Sequence, residues 1–279
     1  MAVRHFSSFI SALVLALTPV CSMGAVAYVS NGGLGSASGT SVAVNVPSGV
    51  VNGDLLIAEI GAVNQTAAFP TETGWTLALA VDGTNGPNYL GIFYRYASSE
   101  PASYTFTGGT GTTYIEGYII RVTGAVTSGN PFDALGAGNS ISTTTLSTAS
   151  SITTATANDL LFQFSATTDG SVAVSSYQSG YTGVSSSFMA FAYESFVGPG
   201  STGSATITYA SNINGATVLG AIKPASGAAC TNAGFPSSGS SPAVPNGTSG
   251  SYRGKSGDFV TPDCATVYYK NTAGNFGTN

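Results

Sequence analysis

Histidine is all but missing from this sequence, and charge is scarce. The one histidine is His5, and Lys and Arg together number 7 against 12 Asp and Glu in 279 residues. His5 sits in an amino-terminal stretch that reads as a secretory signal. Arg4 and His5 form a short basic start, and the apolar run from Phe9 to Val20, broken by Pro19, falls short of the roughly 20 residues that a bilayer span needs. Ala25-Val26-Ala27 fits a small-x-small cleavage pattern, with Ser22-Met23-Gly24 as the competing site. The expectation is a signal peptide at 1–27 and a secreted, extracellular product with no membrane span after the signal is removed.

Such a product has no histidine, which excludes Ser-His-Asp and Cys-His catalysis and His-ligated zinc. Removal of Arg4 leaves 6 basic residues against 12 acidic ones, and no cluster of Lys or Arg exists to neutralise phosphates, so nucleic acid is not an expected partner. Cysteine is almost as rare. With Cys21 in the signal, only Cys230 and Cys264 remain, and in an oxidising compartment two cysteines most simply form one bridge.

What the chain does have is glycine (37 residues), with Ser and Thr, and few of the good helix formers. That composition favours strands and turns. A polar turn ending in Asp leads into Leu-Leu and then a strand at 52–61, Asn52-Gly-Asp54-Leu-Leu-Ile-Ala-Glu-Ile60-Gly61. It returns as Asn158-Asp159-Leu-Leu-Phe-Gln-Phe-Ser165. The order of segments returns too. Thr73-Gly-Trp75-Thr76 is matched by Tyr177-Gln-Ser-Gly-Tyr181-Thr182, the run 90–97 by 188–196, 102–107 by 204–209, and 116–122 by 214–222. In this matching Gln163 stands against Glu59.

Two copies are too few for a solenoid. The expected fold is all-β, an antiparallel, jelly-roll-like β-sandwich occupying 28–223. It is built from pseudo-repeats at about 41–124 and 146–223, each giving strands to both sheets. From 224 to 279 the composition turns to Ser, Gly, Pro and Asn. This small segment is expected to rely on a Cys230–Cys264 disulfide, which at that loop length stabilises by roughly 3–4 kcal/mol in the chain-entropy picture.

Thr73-Gly74-Trp75-Thr76, Phe93-Tyr-Arg95-Tyr-Ala97, Glu100-Pro101, Ser103-Tyr-Thr-Phe-Thr107 and Pro131-Phe132-Asp133 resemble a loosely defined group of β-sandwich domains. These are found in secreted bacterial proteins and in phage virion or tail-associated proteins, mostly of unassigned function. The resemblance covers roughly 40–223. It implies a fold, with Arg95 and Glu100 shaping a turn and a strand edge, and it brings no catalytic residue.

Candidate sites are few. A glycosidase-like carboxylate pair could come only from Glu59, Glu72, Glu100, Glu116 and Glu194, and a strand carboxylate such as Glu59 is more simply a polar residue on a solvent face. The glycines of Gly33-Leu-Gly35-Ser-Ala-Ser-Gly39 lack the strand–helix unit that a dinucleotide needs, and Gly250-Ser-Tyr-Arg-Gly254-Lys255-Ser256 is one residue short of a P-loop. Both read as flexible turns. In 82–89, Asp82, Asn85 and Asn88 offer hard oxygens and Tyr89 a face for a sugar, a set suited to calcium-assisted carbohydrate binding, although Asp-Gly and Asn-Gly are also hairpin-turn residues.

The function expected is therefore an exported, non-enzymatic β-sandwich with a surface-contact role: an adhesive, extracellular-matrix or virion-type structural component. Its partners would be copies of itself or a cell-surface glycan or protein. The alternative is a carbohydrate-binding, lectin-like module, and behind it a sandwich-fold glycan hydrolase or lyase. No catalytic residue and no cofactor other than calcium is assigned.

Overall fold

The computed structural model describes residues 25–83, 89–168, 170–186 and 188–225, and short strands at 259–260, 267–270 and 276–278. All regular structure among the described residues is β. The first half of the chain supplies β1 (Ala27–Asn31), β2 (Gly35–Ser38), β3 (Ser41–Asn45), β4 (Leu55–Val63), β5 (Thr76–Val81), β6 (Tyr89–Tyr96), β7 (Ser103–Thr107) and β8 (Tyr114–Thr123). The second supplies β9 (Phe132–Leu135), β10 (Asn139–Ala149), β11 (Thr153–Thr154), β12 (Asp159–Thr167), β13 (Val174–Tyr177), β14 (Thr182–Ser186), β15 (Met189–Phe196), β16 (Gly200–Ser201) and β17 (Ala205–Ile222).

A six-stranded antiparallel sheet runs in the order β1-β8-β4-β6-β5, with β2 also on β8. A seven-stranded one runs β10-β17-β12-β15-β14, with β9 and β13 also on β17. The expectation that each half would contribute to both large sheets is corrected here. The first sheet is made wholly of strands from 27–123, and the second wholly of strands from 132–222. The paths β8-β4-β6-β5 and β17-β12-β15-β14 nevertheless match in order. Leu55 pairs with Val122 as Leu160 pairs with Ile222, and Gly61 pairs with Leu90 as Ala166 pairs with Met189.

The two sheets share one core, in a β-sandwich-like arrangement. Leu55, Ile57, Leu90, Ile92 and Tyr118 of the first meet Leu160, Phe162, Phe164, Phe191 and Val218 of the second. Tyr28 stacks on Tyr193 with ring centroids 4.3 Å apart, and Tyr118 meets Phe191 edge-on at 5.6 Å. The alternate residues of β4, namely Leu56, Ala58 and Ile60, face the other way into a separate cluster closed by β3, β7, Phe69 and Trp75. β4 is thus covered on both faces. β12 is covered likewise, with Leu161 packed among Ala149, Ile152 and Leu219.

The turns before these strands also match. Gly53 (φ +92°) precedes Asp54, and Asn158 (φ +62°) precedes Asp159, and Gly and Asn are the residues that best tolerate the left-handed conformation. With Asp54 set on Asp159, the residue at Glu59's place is Phe164, not Gln163. The earlier matching was one residue out of register, and in a strand one residue reverses the face. The glycine-spaced segment 33–39 also differs from expectation. Gly35–Ser38 is a strand on β8, and a Cβ on Gly35 would overlap the Ala43 carbonyl oxygen, so the glycine serves a close approach of two backbones.

The carboxy-terminal unit, taken by itself, contains a three-stranded antiparallel sheet of β18 (Phe259–Val260), β19 (Val267–Lys270) and β20 (Phe276–Thr278). Cys230, Cys264 and the segment 250–256 lie outside the described residues.

The two sheets lie close together at Gly61, where an added Cβ would overlap Met189 Sδ and lie 3.3 Å from the Ala166 Cβ. Gly61→Val is expected to destabilise the chain by about 1–3 kcal/mol in urea denaturation, the usual cost of overpacking. A concurrent Met189→Ala change should recover a measurable part of that loss, and independent, additive effects would contradict this packing.

Candidate functional site

Of the residues proposed for a sugar or calcium site, Asp82 is exposed, and its main-chain oxygen accepts a hydrogen bond from Ser140 Oγ at 2.8 Å. The turn end is therefore tied to the second half through backbone, which leaves the Asp82 carboxylate for solvent. Tyr89 begins β6 opposite Ala62, and Asn85 and Asn88 lie outside the described residues. Among the described residues no three His, Cys, Asp or Glu side chains converge as metal ligands.

Each of the five glutamates has a hydrogen-bonding role within the fold. Glu72 Oε1 accepts from the Thr107 amide at 2.6 Å. Glu100 accepts from the Ser98 amide and the Tyr104 hydroxyl, both at 2.7 Å, and pairs with Arg95 at 3.0 Å. Glu116, 1% exposed, accepts from the Tyr114 hydroxyl at 2.7 Å and from the Phe188 amide across the sheets at 3.2 Å. Glu194 is hydrogen-bonded with Tyr181.

Glu59 is the largest departure from the sequence reading. It is fully buried, not on a solvent face. Sharing a face with Leu55 and Ile57, it points between the sheets, where its Oε1 accepts the Ser165 amide at 3.0 Å. Its Oε2 has no donor among the described groups. Burial drives the Glu59 carboxyl well above the usual carboxylate range, and the single Ser165 amide opposes this only in part.

The polar chain continues beyond Ser165. Its Oγ lies 2.8 Å from Ser147 Oγ and 3.2 Å from the Tyr209 hydroxyl, while Gln163 Nε2 donates to the Ser147 carbonyl at 2.8 Å and to Thr217 Oγ1 at 3.2 Å. Chemically this is a set of buried fasteners. Its one carboxyl, Glu59, has its proton affinity raised by burial.

A second acid pair marks the start of β12. Asp133 accepts the amides of Ala155 and Thr156, and Asp159 Oδ1 accepts from Thr156 Oγ1 at 2.8 Å. Asp159 Oδ2 is buried with no donor facing it, and its neighbour is the Asp133 carboxyl, so a proton between the two is what satisfies both. Burial first, then the nearby Asp133 charge, push Asp159 up to about 6, whereas at Asp133 the two amides outweigh burial and hold it below the usual range. In the first half the corresponding Asp54 is paired with Arg121 at 2.7 Å.

Trp75, Arg95, Glu100, Tyr104 and Phe106, drawn from three separate segments, form one cluster. Arg95 lies over the rings of Tyr104 (4.8 Å) and Trp75 (5.7 Å) while paired with Glu100, and Trp75 meets Tyr104 and Phe106 edge-on. The aromatic faces and the carboxylate together hold a guanidinium that is only 16% exposed. In the second half Tyr181 and Glu194 take the corresponding places. Gly74 (φ +77°) abuts Arg95 as Gly180 (φ +95°) abuts Glu194.

A feature that sequence reasoning missed is a groove of ≈ 660 Å³ between the turns 46–52 and 98–102. Its only sequence signal is the pair Pro47 and Pro101, each unable to donate to a ladder. In comparisons with protein-family models, curated proteins and solved structures, the chain matches none.

Glu59 and Asp159 both bind protons more tightly folded than unfolded, so each contributes stability that is complete below about pH 4 and is lost as pH rises. For Asp159 the loss is complete near pH 6. For Glu59 the loss sets in above the ordinary carboxylate range, at up to about 1.4 kcal/mol per pH unit while the proton difference persists. Glu59→Gln should therefore flatten the fall in unfolding free energy as pH rises above that range, as measured by denaturant titration. A variant as steep as the parent would contradict the assignment.

Proposed function

We propose that this chain is an exported β-sandwich, jelly-roll-like and built from two pseudo-repeats, that acts by surface contact. It would be an adhesive, extracellular-matrix or virion-type structural component, consistent with the family resemblance of its Trp75–Arg95–Glu100–Tyr104 residues. The observation that carries this reading is the commitment of all five glutamates to hydrogen bonds of the fold itself. Glu59, the residue a glycan hydrolase reading would use first, lies between two sheets. A surface working by contact needs a rigid scaffold and many uncharged polar side chains, and this chain offers Ser and Thr in place of charge. Calcium-assisted carbohydrate binding through Asp82, Asn85, Asn88 and Tyr89 is the second reading, favoured by the exposure of Asp82.

Export bears on where the signal ends. Val26 is 3% exposed in the core shared by the sheets, and the Ala25 carbonyl lies against Gly124. Cleavage after Ala27 would remove a buried valine worth about 1.5–3 kcal/mol. Cleavage after Gly24 keeps it, and Cys230 and Cys264 would then be free to form their bridge outside the cell.

Several measurements test these statements. Intact-mass analysis of the exported chain should give a product beginning at Ala25, and a start at Tyr28 would refute the cleavage assignment. Sedimentation velocity should show concentration-dependent association or retention on cell envelopes. A strictly monomeric chain that binds no envelope would exclude the contact role, and calcium-dependent glycan-array binding abolished by Tyr89→Ala would favour the second reading.

A further inference from the structure

Between residues 25 and 225 the chain has a single lysine, Lys223. It follows Ile222 at the end of β17, and Asp159 precedes Leu160 at the start of β12. Leu160 pairs with Ile222, so Asp159 and Lys223 are the next residues facing each other across these antiparallel strands. Both backbones are fixed there. Asp159 pairs with Phe196 of β15, the Lys223 amide donates to the Pro131 carbonyl at 3.0 Å, and Pro224 bridges to Ala125 just beyond. Alternation sets the two side chains on one face. Leu160 and Ile222 point into the core between the sheets and Leu161 and Ala221 into the outer cluster, and Asp159 and Lys223 share the side of the latter pair. Directly opposed Cβ atoms lie about 4.5–5.5 Å apart, within the reach of a lysine.

A third group joins them. Asp133 is the unpaired residue of a bulge in β9, where Ala134 faces Ala221 and Phe132 faces Ile222, and a bulge re-aims the side chain it carries. Its carboxylate accepts the Ala155 and Thr156 amides and is the neighbour of Asp159. Asp159 is 1% exposed, and its Oδ2 has no hydrogen-bond donor. The Lys223 charge is felt at Asp159, yet among the described residues the ion pairs are those of Arg95 and Arg121, so the buried acid and the half-buried amine are not committed to a salt bridge. Environment also separates the two acids. Asp159, pushed up to about 6, keeps its proton where Asp133, held low by two amides, has lost its own. The first half has no such set. Asp54 is paired there with Arg121, whose guanidinium is no nucleophile, and the residue after Val122, in the place of Lys223, is Thr123.

We propose that Lys223 and Asp159 condense to an amide, a covalent cross-link between β17 and β12 within one chain, with Asp133 carrying the protons. An ammonium proton of Lys223 passes to the Asp133 carboxylate and leaves a free amine. The Nζ lone pair attacks Cγ of the protonated Asp159, and the C–N bond forms. Asp133 then gives its proton to the departing hydroxyl and takes one from the nitrogen, the C–O bond breaks, and one water leaves. Nothing is oxidised or reduced, and no co-reactant is needed. An unactivated acid condenses in water only where the two groups are held together, and well-oriented intramolecular pairs reach effective molarities of about 10⁵–10⁸ M. The titration of Asp159 described above is that of the chain before the bond forms. The cross-link goes beyond the surface-contact reading and does not depend on it.

The test is the intact mass of the purified, reduced full chain, set against the mass calculated from its observed first residue. The parent should be lighter by one water, and peptic digestion should yield a fragment joining the segment that contains Asp159 to the one that contains Lys223. Lys223→Arg keeps the charge and removes the nucleophile, and Asp159→Ala removes the electrophile; both should have the full mass. Asp133→Asn, with circular dichroism like that of the parent, should be largely unlinked. A parent of full mass, a link between other residues, or a loss of water that survives Lys223→Arg, as a succinimide at Asp82-Gly83 would, overturns the proposal. Complete linkage in Asp133→Asn would overturn the part given to Asp133. The mass is read whether or not the chain binds an envelope or a glycan, so this result and the surface-contact reading fail separately.

Discussion

The rest of the architecture depends on β4 and β12 having no solvent face. A strand at the centre of a sandwich normally offers one side to water, and its polar residues go there. Here each central strand is covered on one side by the opposite sheet and on the other by the outer strands and turns of its own half. Every polar side chain on them must then be satisfied inside the protein or remain unsatisfied at a cost. Gln163 and Ser165 are satisfied by neighbours on β10 and β17, whereas Glu59 finds a donor for one oxygen only. The raised proton affinity of Glu59 follows from this placement.

Much of this was legible in the sequence. The turns ending at Asp54 and Asp159, the order of strands in each half and the boundaries near Thr76 and Thr182 all follow from turn chemistry and local alternation. Burial of β4 on both faces also had a signal, since Leu55-Leu56-Ile57-Ala58 is continuously apolar and such a run marks a strand covered on both sides. The single glutamate after it invited a reading as a solvent face. The position of Gln163 was misjudged by one residue for a related reason: in a strand without a polar side, composition does not reveal which residues share a face. The groove had no signal beyond the pair Pro47 and Pro101, because it lies between the turns of two segments about fifty residues apart.

The residues behind the family resemblance clarify what such a resemblance measures. Trp75 comes from the turn before β5, Arg95 from β6, Tyr104 from β7 and Glu100 from the turn between β6 and β7, and each supports the others. Tyr104 is pushed up to about 12 by burial and by its bond to Glu100, which suits a permanent donor. At the corresponding place in the second half, Tyr181 and Glu194 reach a similar end with the charge reversed. Two unlike solutions at one position indicate that the position needs a partly buried polar plug over the outer core, with no requirement for a particular charge. A motif of this sort marks a fold, and it carries no information on the ligand.

The asymmetry between the halves is then the better guide to function. The halves are alike in the residues they give to the shared core and in the left-handed residue before each aspartate. Where they differ, the second half tends toward closure. β17 runs unbroken from Ala205 to Ile222, whereas β7 and β8 are separated by a glycine-rich turn, and β16 seals an end that the first half leaves open. A sealed end satisfies its own backbone and has little to offer a partner.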